Sequence, residues 1–290
     1  MHTVGVLFAL GALVSWGVGD FLIQKSARKF GDTIALFYIT AFGAIILLPF
    51  IWSQLAVVFS DMRSLSILLI TSIVILFAAL FDFEALRIGK ISVVEPIYAF
   101  EVLITTLLAS IIIREEPSML QFILIAGLLI GIFLVSTKSF HHIKSLHLEK
   151  GVPQAILATA GMGFVNFLFG VSARETNPIM INWFVNIFIV IVMLGYILFR
   201  SRWGEMIRDF KRNKELIISV SFFDNLAWVF YAYGTIYIPI AITTSISEGY
   251  IAFAAALGLV FNKEKLRPHQ FFGMVLAIVS VLILSAVTGK

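Results

Sequence analysis

Val93-Val94-Glu95-Pro96-Ile97-Tyr98-Ala99-Phe100-Glu101-Val102-Leu103-Ile104-Thr105-Thr106 opens a mostly apolar run of about twenty residues that ends at Arg114, long enough to cross a bilayer as one helix. Glu101 stands near the middle of that run. An ionised carboxylate at mid-bilayer costs roughly 2.5–3.5 kcal/mol on insertion scales. A membrane helix carries such a group where it faces a partner, a cavity or a pathway. Two readings follow. Glu101 is a protonated group tied to a neighbouring helix, or it belongs to a substrate or proton site.

The rest of the chain has the same character. Of 290 residues, 60% are hydrophobic and 13% charged, and the mean hydropathy is +1.01. That composition excludes an ordinary soluble domain and fits a polytopic membrane protein. The apolar runs have helix length, so an all-α integral membrane fold is expected rather than a barrel of short alternating strands. There is no Cys, which excludes disulfides, thiol nucleophiles and Cys-based metal sites. The pI near 9.3 reads as basic cytoplasmic loops, not as a nucleic-acid surface.

Ten transmembrane helices are expected, over 4–23, 32–52, 66–86, 91–113, 119–137, 152–172, 178–199, 215–236, 239–261 and 269–287. The first lacks a basic leader and a small-residue cleavage site, so it reads as a retained helix. The longer connections are 54–65, 138–150 and 200–214. The last mixes charges with Trp203, Met206, Ile207 and Phe210, which fits either an amphipathic segment on the headgroups or a solvated loop.

An internal repeat divides the chain. The segment 17–28, GVGDFLIQKSAR, lines up with 163–174, GFVNFLFGVSAR, and Asp20 meets Asn166. Further on, Glu115, Gln121 and Phe122 meet Glu264, Gln270 and Phe271. Residues 1–139 and 151–290 are therefore read as two five-helix repeats joined by a linker, 140–150. Five is odd, so the second copy enters from the opposite face. In inverted repeats of this kind, substrate sites lie near mid-membrane at the repeat interface. Gly127-x-x-x-Gly131 and Gly273-x-x-x-Ala277 occupy similar places in the two copies and allow close helix packing, within the chain or between two chains.

Ser15-Trp16-Gly17 with Phe21 and Lys25, the Arg114-Glu115 and Lys263-Glu264 corners, and the glycine-containing fifth span together resemble the EamA family of the drug/metabolite transporter superfamily. The resemblance covers nearly the whole chain, as two tandem units. It implies a ten-helix carrier of small metabolites, often an exporter, working by alternating access. It also implies that Trp16 lies on a cavity-facing helix, with core packing as the alternative. Val102 and Ile251 stand where relatives often have proline.

Charge sets an orientation. Alternate loops carry 17 Lys and Arg on one side against 4 on the other, which by the positive-inside rule puts both termini outside. The resemblance implies cytoplasmic termini, the opposite.

Depth then sorts the acids. Asp20, Asp82 and Glu84 lie near helix ends beside Lys25, Arg28, Arg87 and Lys90, and are read as interfacial ion pairs. Glu115 and Glu264 are read as corner caps. Glu101, Asp224 and Glu248 remain near span centres with no Lys or Arg at their depth. Ionised together they would cost on the order of 8–10 kcal/mol, so they are protonated at rest or face a wet cavity. Helical spacing puts Tyr98 beside Glu101, Trp228 and Tyr231 beside Asp224, and Thr244 and Ser247 beside Glu248. Aromatic walls next to carboxylates hold organic cations, and they also stack on flat metabolites. Glu95 is read as an outer step of the same path. Asn166, Asn182 and Asn186 are read as interhelical hydrogen-bonding groups.

The sequence thus points to a proton-coupled secondary carrier in the cell membrane, an exporter of a small cationic or zwitterionic metabolite. Its partners would be that substrate, protons and lipid, as a monomer or homodimer, with no nucleic acid. A carrier of neutral solutes or amino acids, and a structural or lipid-moving membrane protein, remain alternatives. No nucleophile elbow, P-loop or metal-ligand pattern occurs, so no enzyme, cofactor or metal is expected. His141, His142 and His147 read as part of a solvated loop.

Overall fold

The structure, a computed structural model, describes residues 1–89, 91–137, 150–253, 256 and 266–289; the side chains at 91–93 and 95 lie outside that description. Every regular element in it is a helix. The first half holds α1 (His2–Phe30), α2 (Asp32–Ile51), a short 3-10 turn Trp52–Gln54, α3 (Leu55–Ser60) and α4 (Met62–Ile88). It continues through α5 (Ile91–Tyr98), α6 (Phe100–Ile112) and α7 (Met119–Ser136). The second half holds α8 (Val152–Glu175), α9 (Pro178–Phe199), α10 (Trp203–Arg212), α11 (Lys214–Tyr237), α12 (Ile240–Glu248) and α13 (Pro268–Thr288).

Among the described residues, eight helices are long and apolar enough to cross a membrane: α1, α2 with its continuation to Ser60, α4, α7, α8, α9, α11 and α13. Their starts and stops carry local signals. Asp61 caps α4, accepting from the Arg63 and Ser64 amides, and Ser118 with Gln121 forms a capping box on α7. Large apolar side chains such as Ile45, Phe77, Ile111, Ile191 and Leu282 are exposed on the outside of the bundle. In a bilayer, lipid covers them.

The fourth and ninth expected spans each carry a one-residue interruption of the helical hydrogen-bond pattern, with the backbone still in the right-handed helical region. Between α5 and α6 the helical pattern is interrupted at Ala99, three residues after Pro96, which lacks an amide hydrogen and kinks a helix from within. α12 stops at Gly249, whose N–H bonds to the Ile246 carbonyl, and the helix resumes over 250–253. The hydroxyls of Thr243, Thr244, Ser245 and Ser247 bond back to carbonyls of the preceding turn. Such back-bonding bends helices. By the offset that matches Glu115 to Glu264 (264 − 115 = 149), Ala99 meets Glu248, so the two interruptions fall one residue apart in the two halves.

The halves interlock. α1 packs along α11, α4 along α8, α2 along α9 and α7 along α13. Each pair takes one helix from each half, and exchanging the halves leaves the pairing unchanged. The α7–α13 seam uses the small residues: a Cβ on Gly131 would lie 2.6 Å from the Ala277 nitrogen, and one on Gly273 2.6 Å from Leu134 Cβ. The small-residue motifs therefore pack within the chain.

The segment 200–214 is neither a loose loop nor a bare surface helix. α10 inserts Met206 among Phe30, Ile34, Tyr38, Ile197 and Ile217, and the Tyr38 hydroxyl donates to the Met206 carbonyl. Arg202 donates to both carboxylate oxygens of Glu205 and holds that carboxyl below its ordinary range.

Candidate functional site

Five carboxylates line one cavity within the bundle: Asp20 of α1, Asp82 of α4, Glu101 of α6, Asp224 of α11 and Glu248 of α12. Among the described residues no Lys or Arg lines it. Its volume, about 110 Å³, is several times the roughly 10–15 Å³ that one water needs on the same measure. The cavity thus has room for a small solute. No three Asp, Glu or His among the described residues gather closely enough to hold a metal ion. The acids are spread around a wall instead of converging on a point.

The helix breaks set the geometry. Glu101 lies in the first turn of α6, just past Ala99, and Glu248 is the last residue of α12, just before Gly249. Both are nearly buried, at 8% and 5% exposure. A tyrosine flanks each break and ties it to an acid on another helix. The Tyr98 hydroxyl donates to the Asp82 backbone carbonyl at 3.4 Å, and its ring end is within reach of the Asp82 carboxyl, as Tyr250 is of the Asp20 carboxyl. Asp20 is close enough to Asp82, Asp224 and Glu248 to interact with each electrostatically.

Aromatic rings form the adjoining wall. Trp16 meets Trp228 edge to face at 5.2 Å, Phe169 lies 4.7 Å from Trp228, and Trp16 lies 6.5 Å from Tyr250. Between apolar side chains such as Ile39, Ile75 and Val185, four asparagines complete the lining. Asn186 donates to Asn225, Asn225 donates to the Ile39 and Ser221 carbonyls, and Asn182 donates to the Pro178 and Trp228 carbonyls.

The lining repeats along the chain. Trp16, Asp20, Ile23 and Thr40 line the cavity, and so do Met162, Asn166, Phe169 and Asn186, each 146 positions later (166 − 20 = 146). Ala79 and Asp82 pair with Asn225 and Trp228 by the same offset. The two halves thus present the same registers to one space, with different chemistry at matched positions.

Of the residues singled out from sequence, Glu101, Asp224, Glu248, Tyr98, Trp228 and Trp16 meet on this cavity. Tyr231, Thr244 and Ser247 do not line it. Tyr231 is fully buried behind the wall, its hydroxyl bonded to the Asn166 carbonyl and to Thr244. The Ser247 hydroxyl donates to the Thr244 carbonyl. These hydroxyls are consumed in holding the wall. The Glu95 side chain and the Glu264 corner lie outside the described residues, as do His141, His142 and His147. Two acids change place. Asp20 and Asp82 were expected as interfacial ion pairs, but both turn inward to the cavity, because α1 and α4 run well past them to Phe30 and Ile88. Glu84 does pair with Arg87. Tyr250, Asn186 and Asn225 also belong to the lining. The pairing of Asp20 with Asn166 in the repeat was the signal available for the inward face.

One end of the bundle is fastened by ions. Arg174 at the end of α8 pairs with Glu115 at 2.8 Å and donates to the Thr235 and Ile238 carbonyls. Glu115 in turn accepts from the Ile240 and Ala241 amides, at 2.9 and 3.2 Å, capping α12. The corner cap read from sequence thus joins the first half to the broken helix of the second. At the basic end, Arg28 donates to the Gly89 carbonyl.

The model of the EamA-like transporter family matches residues 3–137 and 149–286. The chain belongs to the EamA-like transporter family. With its apolar helices, that makes it an integral, multi-pass membrane protein. It is 31% identical over 145 residues to an "Uncharacterized transporter YvbV" of Bacillus subtilis, covering 48% of this chain and 47% of that protein. The chain thus spans about half the length of this relative. It is 25% identical over 131 residues to an "Uncharacterized protein MJ1333.1" of Methanocaldococcus jannaschii, covering 45% of this chain and 95% of that one. A solved structure described only as "Crystal structure of protein" superposes with a TM-score of 0.74 over 98% of this chain and 97% of its own, at 12% identity, a likeness of fold alone.

Proposed function

We propose that the chain is a secondary carrier that exports a small cationic or zwitterionic metabolite by alternating access in exchange for protons. The observation that carries the reading is the convergence of five carboxylates on one cavity with no lining Lys or Arg among the described residues. Such a wall attracts cations, and Trp16, Trp228 and the two tyrosines add ring faces for an organic cation. Carboxylates inside a membrane are costly while ionised, and protonation or pairing with a cation removes that cost. Protons and a cationic substrate therefore compete for the same oxygens. A proton arriving from one side neutralises a carboxylate and releases the cation. Substrate arriving from the other side displaces the proton.

Eight spanning helices and the two broken ones make ten spans in this reading, as two five-helix repeats, 1–139 and 151–290, of opposite topology. Discontinuous helices at a repeat interface are a recurrent way of building midplane substrate sites. The one-residue interruptions at Ala99 and Gly249, beside Glu101 and Glu248, are a mild form of that arrangement and support the reading. The amide wall favours a second reading, a neutral solute hydrogen-bonded to asparagines with the acids acting as a proton relay.

Reconstituted vesicles test the carrier reading. An imposed pH gradient should drive counter-accumulation of one or more amines or amino acids in a panel that also holds uncharged amides and polyols, and collapse of the gradient should stop it. Uptake indifferent to the gradient across the whole panel would remove proton coupling. Gradient-driven movement of neutral members alone would favour the second reading.

A further inference from the structure

Asp20 and Asn166 stand at the same register of α1 and α8, and both line the cavity. They oppose an acid to an amide across the two halves. The amide is the unusual member. Asn166 is 2% exposed, and its Nδ2 has no hydrogen-bond partner. The other lining asparagines are engaged: the side-chain amides of Asn182, Asn186 and Asn225 all donate within the protein. Buried polar groups in folded proteins find partners as a rule, and for an amide on a cavity wall a water or a ligand in that cavity is the partner at hand. The Asn166 carbonyl is held by the Tyr231 hydroxyl, so the backbone beside the orphan amide is fixed.

We infer that Asp20 and Asn166 set the two ends of the ligand, which is a primary amine carrying a neutral oxygen acceptor, a hydroxyl or a carboxamide, at its far end. The inference rests on the carrier reading above and narrows its substrate class. The ammonium takes the Asp20 side, where Asp82 is also at hand. The oxygen accepts from the Asn166 amide. A diamine would bring a second ammonium, which has no lone pair to offer, against an N–H donor. A free carboxylate at that end would enter a cavity walled by acids.

Three probes of similar length separate these cases: γ-aminobutyramide, putrescine and n-butylamine. Their binding to the purified full-length chain in lipid nanodiscs is read by titration calorimetry. The wild type should bind γ-aminobutyramide about tenfold more tightly than either other probe, the upper end of the worth of one buried hydrogen bond between neutral groups. Asn166→Asp makes the two registers alike and should move putrescine to first place. Asp20→Asn should weaken all three. Putrescine tightest in the wild type, an unchanged order in Asn166→Asp, or no binding of any probe would overturn the inference. If Asn166→Asp does not fold, the wild-type order still decides, and Asn166→Ser supplies a milder change that should narrow the preference for the amide. Gradient-driven transport in vesicles is read separately. A wrong order with intact transport removes only this inference, whereas the right order without transport removes the carrier reading.

Discussion

Glu115 shows how much one side chain can hold. Its carboxylate meets Arg174 and two amides of α12 at once. Glu115→Ala leaves a cation and two donors without their acceptor. Hydrogen bonds to charged groups contribute about 1.5–3 kcal/mol each, and Arg174 is a third exposed, so a total loss of about 2–3 kcal/mol is expected. Thermal unfolding in detergent should show it as a clear fall in Tm. Glu115→Gln, which keeps an acceptor, should lose less. Equal Tm for all three proteins would contradict the role. At this scale the sequence was readable where cost speaks: Glu101, Asp224 and Glu248 sit too deep to be incidental, and they share a cavity. Asp20 and Asp82 were obscured by Lys25, Arg28 and Arg87 nearby in the chain. The face of the helix, and not only nearness in sequence, decides pairing, and Arg28 turns to the Gly89 carbonyl instead.

At the scale of elements, the broken helices depend on close neighbours. A Cβ on Gly163 would fall 2.6 Å from Ile104 of α6, and one on Gly17 2.9 Å from Phe253 beyond the second break. The two glycines are repeat-mates, and each lets a first helix of one half approach the broken helix of the other. Gly17→Val and Gly163→Val should each displace that helix and cut transport at least tenfold, with reduced folded yield on size exclusion. Gly195 has nothing within 4 Å of its Cβ position, so Gly195→Ala should leave both unchanged. Normal transport in both valine variants would show that the approach is not needed. Helix lengths and most boundaries were legible from apolar runs and caps. The breaks were not, because Ala99 is a good helix former and only Pro96 hints at an interruption. The Thr243–Ser247 stretch likewise reads as part of an apolar span until its back-bonded hydroxyls are counted.

The whole molecule is two interlocked copies around one acid-walled space. The repeat was legible in matched residues, and the same offset reappears in the cavity lining. The interlocking of α1 with α11 and of α4 with α8 could not be read from one sequence, since it depends on which faces meet. The bias of basic residues predicts that loop 200–214 is cytoplasmic and that the C-terminus is outside. A C-terminal reporter that is active only in the cytoplasm should be silent; an active one would reverse the orientation while leaving the cavity unaffected. The central claim is that protons and substrate compete for the cavity carboxylates. Uptake into vesicles at matched protein incorporation tests it most directly, comparing the wild type with Glu101→Gln, Asp224→Asn and Glu248→Gln. Each variant should lose gradient-driven accumulation while exchange down a substrate gradient persists; wild-type coupling to the pH gradient in all three would contradict the account.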